Sequence, residues 1–383
     1  MLNLPDPIGP LRVALIYNQK KEDATQHDAG ESTEPPSSDG AQALVLPTHV
    51  KPSIQQSTDL YAEWDTFETI NAVRNALAEL HDVTMVEADE QAYGKLSGQR
   101  PDIVFNIAEG LYGVSREAQI PAILEMLQIP YTGSDPLTLA VCLDKSRAKE
   151  ILSYYHIPTP KFNVVSNVSE LDYVTVQFPA MVKPLHEGSS KGIYNSSLVN
   201  NAQELRREVT TIIERYNEPA LIEEYLSGRE FTVAMLGNGS LLNVLPIVEI
   251  KFDSLPAGVN PIYSYEAKWI WDRSDNPLDI FACPAILTPQ LQNEIESVCR
   301  KAYTVLRCRD WSRIDVRLDA KGNPHIIELN PLPGILPNPE DNSCFPKAAR
   351  AEGINYNKLM QSVLAYGAMR YRLHEQASFR RTY

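Results

Sequence analysis

The stretch SRIDVRLDAKGNPHIIELNPLPG, residues 312–334, reads as two strands joined by a tight turn in which Gly322 and Asn323 suit positive φ. Side chains alternate along a strand, so Ile314, Val316 and Leu318 share one face, joined by Ile327 and Leu329 if the register matches. The opposite face collects Arg313, Asp315, Arg317, Glu328 and Asn330. Two carboxylates on a covered face are costly unless a cation lies between them, because lost hydration and like charge both oppose ionisation. Asp, Glu and an Asn amide offer oxygen donors, the set preferred by Mg²⁺, which keeps waters and takes further oxygens from phosphates. A solvated strand face with surface ion pairs would carry the same residues, so on this stretch alone both readings are open.

The rest of the chain narrows the choice. A length of 383 residues predicts two or three domains, and a hydrophobic fraction of 43% is globular. Thirty-five basic residues against 49 acidic give a net charge of −14, without a basic patch, which argues against nucleic acid or an anionic membrane as partner. The five cysteines form no CxxC pair, which disfavours a zinc site or a disulfide framework and points to a reducing compartment. The first residues lack a signal-peptide pattern, and no apolar run reaches the ~20 residues of a membrane helix. The expectation is a soluble, cytoplasmic protein.

LRVALIYN (11–18) is a short apolar run suited to a buried parallel strand. Residues 19–58 are rich in Ser, Pro, Gln, Asp and Glu and predict a long flexible loop. A helix follows, with Phe67, Ile70, Val73, Leu77 and Leu80 at helical spacing and Asp65 and Glu68 in capping-box positions. HDVTMVEA and PDIVFNIAEG read as further strands, giving a doubly wound α/β unit whose ligands sit beyond the carboxyl ends of the strands. That places NIAEGLYG (106–113) in a binding loop. Two helices come next, one with Pro136 early in it and one starting near Asp144, then short strands with Gly-rich turns. An amphipathic helix from about 290, the opening hairpin and a final helix near 355–372 complete the chain.

Several motifs could serve a nucleotide. In VKPLHEGSSKG (182–192) the small residues Gly188, Ser189 and Ser190 let backbone amides approach a phosphate, and Lys183 ends a short apolar strand; a plain hairpin loop would look similar. In ALIEEYLSGREFTV, Glu223 ends an apolar strand, suited to lie against an adenine, and Glu230 is available to ribose hydroxyls. YEAKW sets Lys268 among aromatics, where desolvation is tolerable beside an anion. Lys145 begins a helix against the macrodipole, a placement that a phosphate would offset.

The ordered set YTGS, LDKSRAK, MVKPLHEGSSKGI, LIEEYLSGREFTVAML, YEAKW, CPA, WSRIDVRLD and IIELNPLPG, across residues 101–372, resembles the D-alanine–D-alanine ligases of the ATP-grasp superfamily. That resemblance implies an α/β ATP-grasp fold with three α/β domains and the nucleotide between the central and C-terminal ones. The expected limits are 1–133, 134–223 and 224–383. It implies ATP as cofactor, held by Lys145, Lys183, the loop Glu187, Gly188, Ser189 and Ser190, Glu223, Glu224, Leu226, Glu230 and Lys268. It implies two Mg²⁺ ions, with Mn²⁺ able to substitute, on Asp315, Glu328 and Asn330. Arg313 with the backbone amide of Gly334 would form the oxyanion site, and Lys268 and Ser190 would stand at the transferring phosphate. The implied partners are small-molecule carboxylate and amino-acid substrates and a second copy of the chain in a homodimer.

The substrate side departs from the family pattern. The N-terminal Gly-Gly turn and the Glu-x-x-Val-Ser segment are absent, leaving Glu63 or Asp65 as the ammonium-binding carboxylate, although Asp65 also fits a helix cap. NIAEGLYGVSRE replaces the usual His-Gly loop and offers Glu109, Arg116 and Glu117. The loop after Asn330 is longer than usual, has Pro331 where Thr is expected, and leaves Ser343 to reach the acceptor amino acid. These changes favour a ligase joining other partners, such as the type that attaches an amino acid to mycosporine-glycine, over a D-alanine–D-alanine ligase. A non-catalytic ATP-binding module is the rival from another class.

Overall fold

Among the described residues three sheets organise the chain, and the charged hairpin belongs to the largest. The computed structural model describes residues 2, 4–6, 8–20, 61–271 and 278–373. The loop expected over 19–58 lies outside the described residues apart from Gln19 and Lys20. The first sheet is parallel, in order β2-β1-β3, with β1 Arg12–Tyr17, β2 Asp82–Glu87 and β3 Ile103–Asn106. Helices α1 (Phe67–Ala78), α2 (Ala92–Gln99) and α3 (Gln119–Leu127) accompany it. α1 is capped by Thr66, whose side chain accepts from the Thr69 amide at 3.3 Å, so Asp65 is not its cap. The helix begins one residue later than the sequence reading placed it, which releases the Asp65 carboxylate to line a cleft.

Helices α4 (Pro136–Leu143) and α5 (Lys145–Tyr154) follow as expected, with the Asp144 side chain accepting from the Ser146 and Arg147 amides and Lys145 in the first turn of α5. The second sheet is antiparallel, in order β4-β7-β5-β6: β4 Phe162–Val165, β5 Ala180–Pro184, β6 Leu198–Val199 and β7 Ala220–Glu224, with α6 Ala202–Tyr216 on its apolar face.

The third sheet comprises β8 Glu230–Leu236, β9 Asn243–Val244, β10 Val248–Ile250, β11 Phe281–Ala282, β12 Trp311–Leu318 and β13 Pro324–Asn330, in order β11-β10-β8-β12-β13 with β9 on β8. Helix α7 (Pro289–Val305) is capped by Thr288 and buries Ile295, Cys299 and Ala302 against this sheet. Helices α8 (Cys344–Ala351) and α9 (Tyr356–Arg370) close the described chain.

The hairpin is as predicted except in register. β12 and β13 pair Asp315 with Glu328 but Val316 with Ile326, a bulge that leaves Ile327 unopposed. Ile326, not Ile327, therefore joins Leu329 in the core, and Ile327 turns toward the charged side. Alternation cannot reveal a bulge, because one inserted residue exchanges the faces beyond it. Of the two turn residues, Gly322 has positive φ, at 88°, and Asn323 does not.

The first and third sheets share one core. Trp311 is fully buried between Phe105 and Phe345, in edge-on contacts of 5.6 and 5.9 Å. Arg370 of α9 pairs with the fully buried Asp310 at 2.8 Å and donates to the carbonyls of Tyr131 and Gly133. These contacts fix the YTG turn against the hairpin. Among the described residues no helix is long and apolar enough to cross a membrane.

Candidate active site

The second and third sheets face each other across a cleft of about 990 Å³ including its open mouth, lined by Lys183, Ser190, Glu223, Glu224, Leu226, Glu230, Asp315 and Ile327 among others. Strand β7 carries Glu223 opposite Met181 of β5, with Lys183 of β5 two residues on. Lys183 Nζ lies 2.6 Å from one Glu223 oxygen and Lys149 Nζ 2.7 Å from the other. Burial opposes ionisation of the Glu223 carboxyl, yet the two lysines outweigh it and hold the pKa below its usual value. Burial brings Lys149 down; burial also opposes the Lys183 charge, but Glu223 with Glu328 and Glu230 outweighs it and raises the pKa.

The loop over 187–192 closes one end of this cleft. Ser189 and Ser190 are both left-handed, at φ 51° and 59°, a conformation that costs an L-residue about 1–2 kcal/mol, and the turn they make is closed by the Lys191 amide donating to the Gly188 carbonyl at 2.9 Å. The loop is fastened from the segment carrying Lys268: Trp269 Nε1 donates to the Ser189 carbonyl at 3.1 Å, and Ser190 Oγ donates to that of Tyr263 at 2.9 Å. On its other side the Gly188 amide donates to Glu63 at 2.7 Å, and a Cβ at Gly188 would fall 2.7 Å from that carboxylate. Lys145 Nζ donates to the Glu187 carbonyl.

A second cleft, of about 860 Å³ with its mouth, opens between the first sheet and the hairpin. Glu109, Glu117, Lys145, Asn330 and Gly334 line it, with Glu63, Asp65 and Trp311. Arg116 lies 2.8 Å from both Glu63 oxygens and 3.2 Å from Glu187, which Lys191 also meets at 3.0 Å. Asp65, Glu109 and Glu117 make no ion pair among the described residues. Burial pushes Asp65 and Glu117 up to about 7, and burial with the charges of Glu117, Glu63 and Asp65 pushes Glu109 well above the carboxylate range.

This gives the protein a pH signature. Asp65 and Glu117 keep their protons to about pH 7 when folded but release them near 3.8 and 4.5 when unfolded. The stability they contribute is thus complete at acid pH and is lost as the pH rises from about 4 to 7. The melting temperature of the ligand-free protein is expected to fall between about pH 5 and 7 from this source, and Glu117→Gln to fall less. An equal fall in that variant would show that Glu117 does not titrate in the cleft.

The two clefts meet. Glu187, Gly188, Ser189, Lys268, Arg313 and Glu328 line both. Arg313 Nε and Nη2 lie 3.0 and 2.9 Å from the Asp315 oxygens, and Nη2 is 3.7 Å from Glu328; the Asn330 amide lies 3.4 and 3.3 Å from the same two carboxylates. Burial opposes the Glu328 charge, but Lys145, Lys183 and Arg313 outweigh it and hold the carboxyl down at about 2. Burial and then Arg313 push Lys268 down to about 8. Asp315 and Glu328 bring carboxylate oxygens together, with the Asn330 side-chain nitrogen donating to both; with its amide turned over, Asn330 would add a third oxygen, a set that fits Mg²⁺. Among the described residues no three His, Cys, Asp or Glu side chains gather as a complete metal cage, so such an ion would draw its remaining oxygens from phosphate and water.

The family model described as D-ala D-ala ligase C-terminus matches residues 153–365, more than half of the chain. The chain belongs to the D-alanine–D-alanine ligase family. Its relatives within and around that family include the D-alanine–D-alanine ligase of Bordetella pertussis, 32% identical over 293 residues that cover 76% of this chain and 86% of that one. That of Mannheimia succiniciproducens is 34% identical over 305 residues, covering 78% and 90%. An uncharacterised protein of Sinorhizobium fredii is 33% identical over 317 residues, covering 80% and 90%. The crystal structure of D-alanine–D-alanine ligase from Bacillus anthracis complexed with ATP matches with a TM-score of 0.64 at 22% identity over 96% of this chain and 99% of that one, which shows a shared ATP-grasp fold.

Within this D-alanine–D-alanine ligase family fold, every site residue expected from the sequence except Arg116 and Ser343 lines one of the two clefts, Arg116 being engaged with Glu63 and Glu187. Ser343 Oγ instead donates to the Gly334 carbonyl at 3.0 Å and accepts from the Leu336 amide at 3.2 Å, so it braces the loop after the hairpin. The sequence reading passed over Lys149, although its spacing of four from Lys145 in LDKSRAK sets both on one helical face. It also missed the Glu63–Arg116–Glu187 link, whose members come from three distant segments with no shared pattern.

Proposed function

We propose that the protein is an ATP- and Mg²⁺-dependent carboxylate–amine ligase, forming an amide through an acyl phosphate and releasing ADP and phosphate. The observation that carries this reading is the shared seam, where Lys268, Arg313 and Glu328 face both clefts at once. In the first step a substrate carboxylate oxygen forms a bond to the γ-phosphorus of ATP as the bond to ADP breaks. Lys145, Lys183, Lys268 and the loop amides hold the phosphate oxygens in place. When bound, Mg²⁺ supplies charge neutralisation, held by Asp315, Glu328 and Asn330 as two ions, with Mn²⁺ an acceptable substitute.

In the second step the neutral amine of an amino acid adds to the acyl carbon. Arg313 and the Gly334 amide receive the oxyanion, the amine loses its proton, and orthophosphate leaves. The loop Glu187–Ser190, tied down by Glu63 and Trp269, keeps water from the acyl phosphate. Glu223, Glu224 and Leu226 hold the adenine and Glu230 the ribose. Asp65, Glu109 and Glu117 receive substrate amino groups, which favours a ligase whose amino-acid partners differ from the family's usual pair, the mycosporine-glycine type being one form. A D-alanine–D-alanine ligase is the second reading, favoured by the relatives of that name. The same proposal takes the units as 1–133, 134–223 and 224–383, working in the cytoplasm as a homodimer on small molecules, without nucleic acid or membrane.

The test mixes protein, ATP and Mg²⁺ with D-alanine alone and with pairs of other amino acids, and measures ADP and orthophosphate. Release that needs both a carboxylate and an amine supports the ligase. AMP and pyrophosphate would contradict the acyl-phosphate route, and ATP binding without turnover across the panel would favour a non-catalytic module.

A further inference from the structure

On the floor of the nucleotide-side cleft stands an arginine to which neither the motif reading nor the proposed chemistry gives a task. Arg317 of β12 lies directly opposite Glu230 of β8 across the antiparallel pair, and both line the cleft. Arg317 is only 6% exposed. Its Nη1 donates to Glu230 Oε2 at 2.6 Å, while its Nη2 donates to the Tyr225 hydroxyl at 3.0 Å and to the Pro261 carbonyl at 2.8 Å. The guanidinium lies over the rings of Tyr225 and Phe252, 4.8 and 5.4 Å from their centres. Its Nε is buried and has no hydrogen-bond partner among the described residues.

This geometry divides the work of the Glu230 carboxylate. One oxygen is tied to Arg317, and the other has no partner among the described residues. A carboxylate held at one oxygen cannot turn freely, so the second is fixed at the wall of the cleft as an acceptor. The guanidinium is itself fixed by two further acceptors and two rings, so the pair is prearranged rather than assembled by the ligand. A fixed, charged acceptor discriminates between a ligand that offers a hydroxyl and one that lacks it, because the unmet acceptor stays desolvated.

We propose that Arg317 is a positioning residue that presents Glu230 to the sugar hydroxyls and thereby sets selection of a ribonucleotide over its 2′-deoxy analogue. This rests on the reading of the cleft as the nucleotide site. The inference predicts that removing the arginine costs ATP its advantage while leaving the weaker analogue almost untouched. A merely structural arginine would weaken both nucleotides alike.

The experiment measures Kd for ATP and for 2′-deoxy-ATP with Mg²⁺ by calorimetry, on the full chain and on Arg317→Met, Arg317→Lys and Glu230→Gln, each checked by thermal melting. The full chain is expected to favour ATP by at least ~10-fold, the worth of one hydrogen bond to a charged group. Arg317→Met and Glu230→Gln should each bring that ratio below about threefold, and the double variant should lower it no further. Should Arg317→Met fail to fold, Arg317→Lys, which keeps the charge and loses the fork, must itself narrow the ratio. A ratio unchanged in the folded variants, or absent in the full chain, overturns the inference. Failure of the full chain to take up either nucleotide overturns the reading of the cleft itself, a separate result.

Discussion

Replacing Arg313 with alanine is expected to lower kcat by roughly 10²–10³-fold while ATP still binds, as for the loss of a group whose charge counts chiefly when an oxyanion forms. Arg313 lines both clefts and sits 2.9–3.0 Å from Asp315 and 3.7 Å from Glu328; on the proposed reading a carbonyl placed between Gly334 and the phosphate would develop its charge beside it. Its removal leaves two facing carboxylates without their cation, a charge that Mg²⁺ held by the proposed site would offset, so nucleotide uptake is expected to survive. Arg313→Lys keeps a positive charge without the two-pronged contact to Asp315, and should recover only part of the rate. Steady-state kcat alongside a calorimetric Kd for ATP separates the two effects. A rate left intact by Arg313→Ala would remove this residue from the chemistry.

Glu328→Gln is expected to shift Mg²⁺ dependence to higher concentration and to lower turnover by at least about 10²-fold, the loss of a few kcal/mol of charge stabilisation. The reason is scarcity. Among the described residues only Asp315 and Glu328 of the hairpin supply anionic oxygen at this point, paired directly across it, and Glu328 is the one whose carboxyl the surrounding lysines and arginine hold down at about 2. A glutamine keeps the shape and one weak donor oxygen but not the charge. The readout is activity as a function of Mg²⁺ concentration, with the ATP concentration held fixed. A variant with the original metal titration would place the ion elsewhere.

What the sequence made legible was local. The hairpin, the start of α5 near Asp144 and the strand carrying Glu223 each carry their pattern within a few residues, and each is in the expected place, the last running one residue further to Glu224. What it hid depended on register or distance. The bulge beside Asp315 exchanged Ile326 and Ile327, and Thr66 took the cap that Asp65 had seemed to fill. The contact between Glu63, Arg116 and the Gly188 amide joins segments 53 and 125 residues apart, and no spacing rule reaches that far. The hydroxyl of Ser343, expected to reach the acceptor amino acid, is hydrogen-bonded within its own loop.

The central claim is that the acidic face of the hairpin grips a nucleoside triphosphate through a divalent cation. Titrating the protein with ATP in a calorimeter, with and without Mg²⁺, tests it directly and needs no knowledge of the other substrates. One ATP taken up per chain with Mg²⁺ present, and much weaker uptake without it, is the predicted result; no uptake, or uptake indifferent to the metal, would contradict it.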